Sequence, residues 1–342
     1  IPQLSSLPDP TLQLTYFVES VQTRTGPQEN VLILNQRIPW FGKLKNREVA
    51  ASAEAEVLWF AYQNQQLMLV REVGTAFYEY GYLEHAIRLT RENLELLQSL
   101  EPVVETQVKA GANLNSLLRL KVEIGKMEDR LQSLSQDRIA LSADLMSSLA
   151  LPDAGVLPWP SWEKPDPISL DPVNLQQDLA LENPALNMLK SKVASAEARK
   201  AVADLERYPD FTLGVNYVQI GDPEVNPAAA DAGEDAWGVT AGISIPLWPG
   251  RIKAGRQEAL KNIYASENEL EQKQNQLRAE LKTSLALLTD AERRLNLYGE
   301  DLLDLAQQGV DNSFRAYEVG QAGILDVIDS EPPEGVLALK AD

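Results

Sequence analysis

The sequence holds no cysteine, a single histidine (His85) and four methionines. The missing cysteines exclude disulfides and thiolate metal sites, and one histidine with four methionines leaves no clustered transition-metal site to argue for. Long hydrophobic runs are also missing. No stretch of about 18 apolar residues occurs, which excludes a transmembrane helix but not barrel strands, whose alternation escapes that test. Positive charge is scarce: 31 Lys and Arg against 50 Asp and Glu leave a net charge of −19, a surface that nucleic-acid phosphates would repel. Such a surface suits a periplasmic or extracellular setting or a path for cations, and suits ordinary soluble proteins as well. The chain opens at Ile1-Pro2 without a charged n-region and apolar h-region, so export is neither indicated nor excluded. Its 342 residues leave room for one to three domains.

What is present begins with alternation. Phe211, Leu213, Val215 and Tyr217 alternate with Thr212, Gly214 and Asn216, and Trp237, Val239, Ala241, Ile243 and Ile245 alternate with Gly238, Thr240, Gly242 and Ser244. That two-residue period predicts two strands with one apolar face and one small, polar face. Between them lies an acidic loop carrying Asp222, Pro223, Glu224, Asn226, Pro227, Asp231, Glu234 and Asp235. Apolar-out, small-polar-in segments of about 10 residues fit a transmembrane barrel, and a soluble sandwich fits them equally at this point. An earlier pair is similar: Leu12, Leu14, Tyr16 and Val18 alternate, a turn is expected around Gly26-Pro27, and Val31 to Ile38 returns less cleanly because Val31, Leu32, Ile33 and Leu34 are all apolar. The Pro-rich stretch 1–11 reads as extended.

Elsewhere the sequence predicts long helices. From Lys43 to about Lys109 it is rich in Ala, Leu, Glu, Gln and Arg, and Pro102 is expected to kink this helix without ending it. At 1.5 Å per residue such a rod measures on the order of 100 Å, which implies a coiled-coil-like assembly. Ala110-Gly111-Ala112-Asn113 breaks it, and 114–149 resumes helix with Leu117, Leu120, Ile124, Met127, Leu131, Leu134 and Ile139 as a packing stripe. Residues 151–172 are dense in proline and tryptophan; Trp159 and Trp162 are expected to pack on neighbouring helices. A short helix over 173–182 stops at Asn183-Pro184, an alanine-striped helix follows over 185–207 (Ala194, Ala196, Ala198, Ala201, Ala203), and 253–319 is again one long helix.

The plan therefore repeats: strand, polar turn, strand, Ile-Pro with an aromatic, Gly with a base, long helix, glycine break. IPWFGK at 38–43 answers IPLWPGR at 245–251, and the distance from Gly42 to Gly111 is 69 positions against 70 from Gly250 to Gly320. Shared order and spacing over so long a helix indicate duplication. Four strands cannot close a barrel, which needs about eight, so in lipid several protomers would have to pool their strands.

The runs VQTRTGPQENVLILNQRIPWFGKL (21–44), ALENPALNMLKSKVASAEARKAVADLERYPDFTLGVNY (180–217), ISIPLWPGR (243–251) and FRAYEVGQAGILDVIDSE (314–331) together resemble the outer-membrane efflux protein family, the TolC-like trimeric channels, and the N-terminal half is most similar to the branch that includes the heavy-metal efflux members (CusC-like and CzcC-like). The resemblance implies a mixed α and β membrane protein: a homotrimer in which four strands per protomer make one twelve-stranded barrel in the outer membrane and long helical hairpins form a periplasmic tunnel. It implies as partners a membrane-fusion (adaptor) protein at the hairpin tips, an inner-membrane pump and the lipid bilayer, with no nucleic acid and no cofactor. It also implies a helix before the first strand and a long returning helix after the second tip, segments that would lie outside the given stretch.

Within that frame the domains read as a first β-hairpin (1–42), a first helical hairpin (43–150), a Pro/Trp equatorial segment (151–183), a helix (184–208), a second β-hairpin (209–250), a second helical hairpin (251–331) and a tail (332–342). Gly111, Ala112 and Asn113 at one tip, and Gly320, Gln321 and Ala322 at the other, are the adaptor-contacting candidates. Asp326 and Asp329, three apart, share a helix face. The resemblance makes them, with Tyr317, the channel gate, where threefold symmetry would gather six carboxylates, raise their pKa values and attract cations. By residue chemistry alone an acid after a glycine break reads first as an N-cap or first-turn residue. Ala322 replaces the base that the family carries two residues after the glycine, and Asn115 and Ser116 replace an acid at the first tip. Lys43 and Arg251 are placed to face headgroups or cap the barrel mouth; Trp40, Phe41 and Trp248 suit an interfacial girdle or junction packing. His85, between Glu84 and Ala86, has no nucleophile pattern nearby, no general acid/base pair can be singled out, and no enzymatic activity is expected. The reading from a different class is a soluble coiled-coil adaptor or structural protein with a small β domain.

Overall fold

The alternating segments form one antiparallel sheet in the order β1-β2-β3-β4: β1 (Thr11–Thr23), β2 (Gly26–Ile38), β3 (Asp210–Ile220) and β4 (Ala236–Ser244). β2 and β3 pair from Gln28↔Ile220 to Ile38↔Phe211, so the two repeats share a single sheet while β1 and β4 are its open edges. The structure, a computed structural model, describes residues 2–152, 155–161, 170–223 and 231–330. Trp162, the loop positions Glu224, Asn226 and Pro227, and the tail from 331 lie outside the described residues.

The first hairpin turns at Arg24-Thr25, since Thr23 pairs with Gly26. Gly26-Pro27, expected at the turn, instead begins β2. Gly26 has φ 141°, and a Cβ there would stand 1.9 Å from the carbonyl oxygen of Gly221, the residue after β3, so this glycine answers that close approach rather than the turn itself. The stretch expected to be extended at the amino end contains one helical turn, α1 (Pro2–Ser5), where Pro2 suits the first helical position and the Ser6 N–H closes on the Pro2 carbonyl at 3.1 Å.

The helices are α2 (Lys43–Lys109), α3 (Leu114–Ser148), α4 (Pro172–Glu182), α5 (Pro184–Leu205), α6 (Pro249–Asn296), α7 (Leu303–Glu318) and α8 (Ile324–Ser330), with a π-helical turn at Leu297–Leu302 joining α6 to α7. α2 carries Pro102 without ending. α5 begins where Asn183 caps it, its side chain accepting from the Ala185 and Leu186 N–H groups.

Two compact units result, each drawing one segment from each half: Ile1–Asn64 with Val173–Leu277, and Gln65–Pro172 with Arg278–Asp342. In the first, small residues allow helices to approach closely: Ala50, Ala51 and Ala53 of α2 and Ser191, Ser195, Ala196 and Ala198 of α5 are buried, and the Ser195 hydroxyl donates to the Ala50 carbonyl at 3.3 Å. Of the alanines expected as a stripe, Ala194 faces solvent. In the second, Leu94, Leu97, Leu100 and Val104 of α2 and Leu120 and Ile124 of α3 form one core with Tyr317, Ile324 and Val327. Of the α3 stripe, Leu117, Met127 and Leu131 are partly buried and Ile139 is exposed. Trp159 packs as expected, 4.8 Å from the Tyr80 ring with the Arg138 guanidinium 3.9 Å above it.

Candidate functional site

The sheet presents one side chain per strand in register. Leu12, Leu34, Val215 and Val239 form one row across all four strands, and Leu14, Leu32, Tyr217 and Trp237 form the next. Every member of both rows except Tyr217 is an exposed hydrophobic residue, reaching 84 % exposure at Val239 and 72 % at Trp237. The rows of the opposite face are mixed: Gln13, Ile33, Asn216 and Gly238 lie between the two apolar rows, and Thr11, Asn35, Gly214 and Thr240 flank them. Register thus settles the ambiguous run in β2: Leu32 and Leu34 join the apolar rows, Val31 and Ile33 the opposite face. An apolar face this extensive on an open sheet is uncommon in a monomeric soluble protein. At one end of the sheet, Asp235 accepts from the Tyr217 hydroxyl at 2.5 Å and from the Ile220 N–H at 3.0 Å, and Arg24 pairs with Asp231 at 2.6 Å.

At the other end sits a buried polar hub. Asp210 accepts from Lys43 Nζ at 2.8 Å, from Arg37 at 2.7 Å and from the Trp40 N–H at 2.9 Å, while Lys43 Nζ also donates to the Tyr208 carbonyl at 3.3 Å. Lys43 therefore faces inward and not toward headgroups. Trp40 stacks on Tyr208 at 5.0 Å and on Phe211 at 5.6 Å, the junction-packing alternative, whereas Phe41 and Trp248 are exposed. The sequence offered one clue to this hub, an acid in YPD immediately before an alternating run; the three partners of its carboxylate, Arg37, Trp40 and Lys43, lie more than 160 positions away.

The two hairpin tips are built alike. At the first, the Ala112 N–H donates to the Gln107 carbonyl at 2.9 Å and the Gly111 N–H to Val108 at 3.0 Å; at the second, Gln321 donates to Ala316 at 2.8 Å and Gly320 to Tyr317 at 3.0 Å. Both are Schellman motifs, which place a left-handed residue just past the helix end. Gly111 and Gly320 supply it, with φ 105° and 73°. Asn113 then caps α3, accepting from the Asn115 N–H at 2.9 Å. Asp326 lies inside the first turn of α8 and bonds back, its carboxylate accepting from the N–H of Gly323, the residue before the helix, at 2.7 Å, as the third helical residue of a capping box does. Of the N-cap and first-turn alternatives, Asp326 takes the first-turn position, with its side chain exposed; α8 carries Asp329, whose side chain lies outside the described residues.

Tyr317 is buried and donates to Gln107 Oε1 at 3.1 Å, linking the second tip to the first. Burial pushes its phenol up, against the opposing hydrogen bond to Gln107. Between the tips runs a groove of about 450 Å³ lined by Val104, Gln107, Asn113, Ser116, Tyr317 and Ala322 among others. Gln107 was not singled out by sequence reasoning, although it stands four residues before Gly111 as Tyr317 stands three before Gly320. His85 Nδ1 lies 3.0 Å from Arg88 on an exposed helix face. Among the described residues no group of three His, Cys, Asp or Glu is arranged to hold a metal, and no helix is long and apolar enough to cross a membrane, which says nothing of a β-barrel.

Residues 175–331 match the model of a family described as outer membrane efflux protein. The chain resembles the outer-membrane efflux proteins. Among curated proteins, Nodulation protein T of Rhizobium leguminosarum bv. viciae is 19% identical over 316 residues, 89% of this chain, and the chain spans 64% of its length. Among solved structures, the outer membrane protein VceC of Vibrio cholerae aligns with TM-score 0.76 and 18% identity over 98% of this chain and 82% of its own. CusC aligns with TM-score 0.73 and 19% identity over 97% of this chain and 77% of its own, and the MtrE outer membrane channel of Neisseria gonorrhoeae with TM-score 0.76 and 15% identity over 99% and 78%. These structures carry the same fold: long helical hairpins with antiparallel strands.

Proposed function

We propose that this chain is a subunit of an outer-membrane exit duct, through which small molecules or metal ions pass passively from an inner-membrane pump and its adaptor to the cell exterior. The observation that carries the reading is the pair of apolar rows crossing a four-stranded sheet whose β1 and β4 edges are open. In hydrocarbon each unpaired backbone group costs several kcal/mol, so the edges must pair, and the partner available to both is another copy of the chain. Three copies give twelve strands, enough to close a barrel around the opposite face, on which Gln13, Asn35, Asn216 and Thr240 lie. The duct performs no chemistry on its cargo; the pump supplies the energy.

The seven segments delimited from the sequence then become two barrel hairpins (1–42 and 209–250), two periplasmic helical hairpins (43–150 and 251–331), an equatorial segment (151–183), a connecting helix (184–208) and a tail (332–342). Gly111, Ala112, Asn113, Gly320, Gln321 and Ala322 form the adaptor-contacting end, and Tyr317, Asp326 and Asp329 the gate. Membrane fractionation tests the reading. The protein should resist extraction by alkaline carbonate and require detergent to remain monodisperse; a folded, monodisperse protein without detergent or lipid would instead support the soluble coiled-coil reading.

A further inference from the structure

The face of the sheet opposite the apolar rows is almost free of charge. Within the strand stretches 11–16, 30–38, 210–220 and 236–244, Arg37 and Asp210 are the only charged residues. Both belong to that face, because Arg37 stands two and four positions after Asn35 and Ile33, and Asp210 four and six before Gly214 and Asn216. Their neighbours there are neutral: Thr212 pairs with Arg37, and the Asn216 amide donates to the Thr240 hydroxyl at 2.8 Å. The charge is thus confined to the end of the sheet where the strands meet α2 and α5.

The polar hub at that end does not use up Arg37. Asp210 is already met from within by Lys43 at 2.8 Å, whereas Arg37 reaches the same carboxylate at 2.7 Å from the open side, with 64% of its side chain exposed. Glu206 lies 3.8 Å from Lys43 and 4.0 Å from Arg47. Three cations, Arg37, Lys43 and Arg47, therefore stand against two carboxylates, in a chain whose net charge is −19. A guanidinium carries five N–H donors in a rigid fork, more than one carboxylate engages, so Arg37 can hold Asp210 and still present donors to a second anion.

We propose that Arg37 is an anion-contacting position: in a barrel of three copies, three Arg37 guanidinium groups form a positive ring where the strands give way to the helices, favouring small anions and carboxylate-bearing cargo over cations at that level. The inference rests on the duct reading, which makes this face the lining of the passage. Asp210, held in turn by Lys43 and the Trp40 N–H, fixes the guanidinium in place.

Reversal potentials of the full chain in planar bilayers under a potassium chloride gradient test the ring, since they do not depend on how many channels insert. Arg37→Gln should lower the chloride-to-potassium permeability ratio roughly threefold in about 0.1 M salt, the scale for three unit charges acting through water over a screening length of about 10 Å, and the difference should shrink in about 1 M salt. Arg37→Lys, which keeps the charge, should keep the parental ratio. Thr212→Glu, which sets a carboxylate opposite Arg37 without removing it, should lower the ratio as Arg37→Gln does. Open channels whose ratio is the same in the parent, Arg37→Gln and Thr212→Glu overturn this inference and leave the duct reading standing. A parent protein that forms no channels overturns the duct reading and this inference with it.

Discussion

Lys43 and Asp210 meet at 2.8 Å with side chains 3% and 8% exposed, tying the first turn of α2 to the first residue of β3 across 167 positions. A buried ion pair need not favour folding over an apolar one, but breaking it from one side strands a charge. Asp210→Ala should therefore destabilise the protein by about 3–5 kcal/mol, and Lys43→Met with Asp210→Leu should cost less than Asp210→Ala alone. Thermal unfolding in detergent gives the comparison; a double variant worse than the single would contradict it.

Glycines on the sheet should differ sharply in what they tolerate. Gly26→Ala forces a Cβ to 1.9 Å from a backbone oxygen, which cannot move without unpairing β2 from the Gly221 region. Gly238→Ala meets nothing nearer than 3.9 Å. The first substitution should lower the unfolding midpoint markedly and the second leave it nearly unchanged.

At the tips, Tyr317→Phe and Gln107→Ala each remove the same hydrogen bond and should each cost about 1 kcal/mol, with the double variant costing less than the sum. Tyr317→Ala empties part of a core as well and should cost about 3–5 kcal/mol. Denaturant titration of the four proteins separates these expectations.

Asp204 pairs with Lys200 on its own helix and with Arg256 of α6, each at 2.6 Å. The hydrogen bond from Lys200, helped by Arg256, holds its carboxyl below the usual carboxylate range. A carboxyl whose folded pKa is depressed stabilises the fold above its unfolded pKa, near pH 4, and that contribution fades as pH falls toward the lower folded value. Asp204→Asn should lower stability at neutral pH slightly and flatten the fall in stability below about pH 4. An unchanged acid limb would contradict the assignment.

If the second tip forms the gate, Asp326→Ala with Asp329→Ala should raise single-channel conductance in planar bilayers and relieve block by cations. Asp326 also caps α8, so Asp326→Asn, which keeps an acceptor for the Gly323 N–H, separates loss of charge from loss of the cap. Unchanged conductance and block in both would reject the gate.

Much of this architecture was legible because it is local. Two-residue alternation marked β1, β3 and β4, the less regular run from Val31 to Ile38 marked β2, and α2 was anticipated from Lys43 to Lys109 because a run of good helix formers is broken only by Gly74, Gly81 and Pro102, which the helix accommodates. The glycine breaks were legible through the repeat. What remained hidden depends on partners far along the chain. Nothing near Asp210 reveals Lys43, and nothing near Tyr317 reveals Gln107, 210 positions away. The β2–β3 pairing, which decides that Leu32 rather than Val31 joins the apolar face, follows from register between repeats. The π-turn at Leu297–Leu302 interrupts what was expected as one long helix over 253–319, and no local pattern announces it.

The central claim is that the open edges β1 and β4 close on other copies of the same chain. One cysteine at Gln13 on β1, combined in turn with one at each position from Gly238 to Gly242 on β4, tests it in membranes against the cysteine-free background. The account predicts a disulfide ladder of monomer, dimer and trimer that ends at the trimer, strongest at alternate β4 positions. No cross-linked species at any position, or a ladder that continues beyond three, would contradict it.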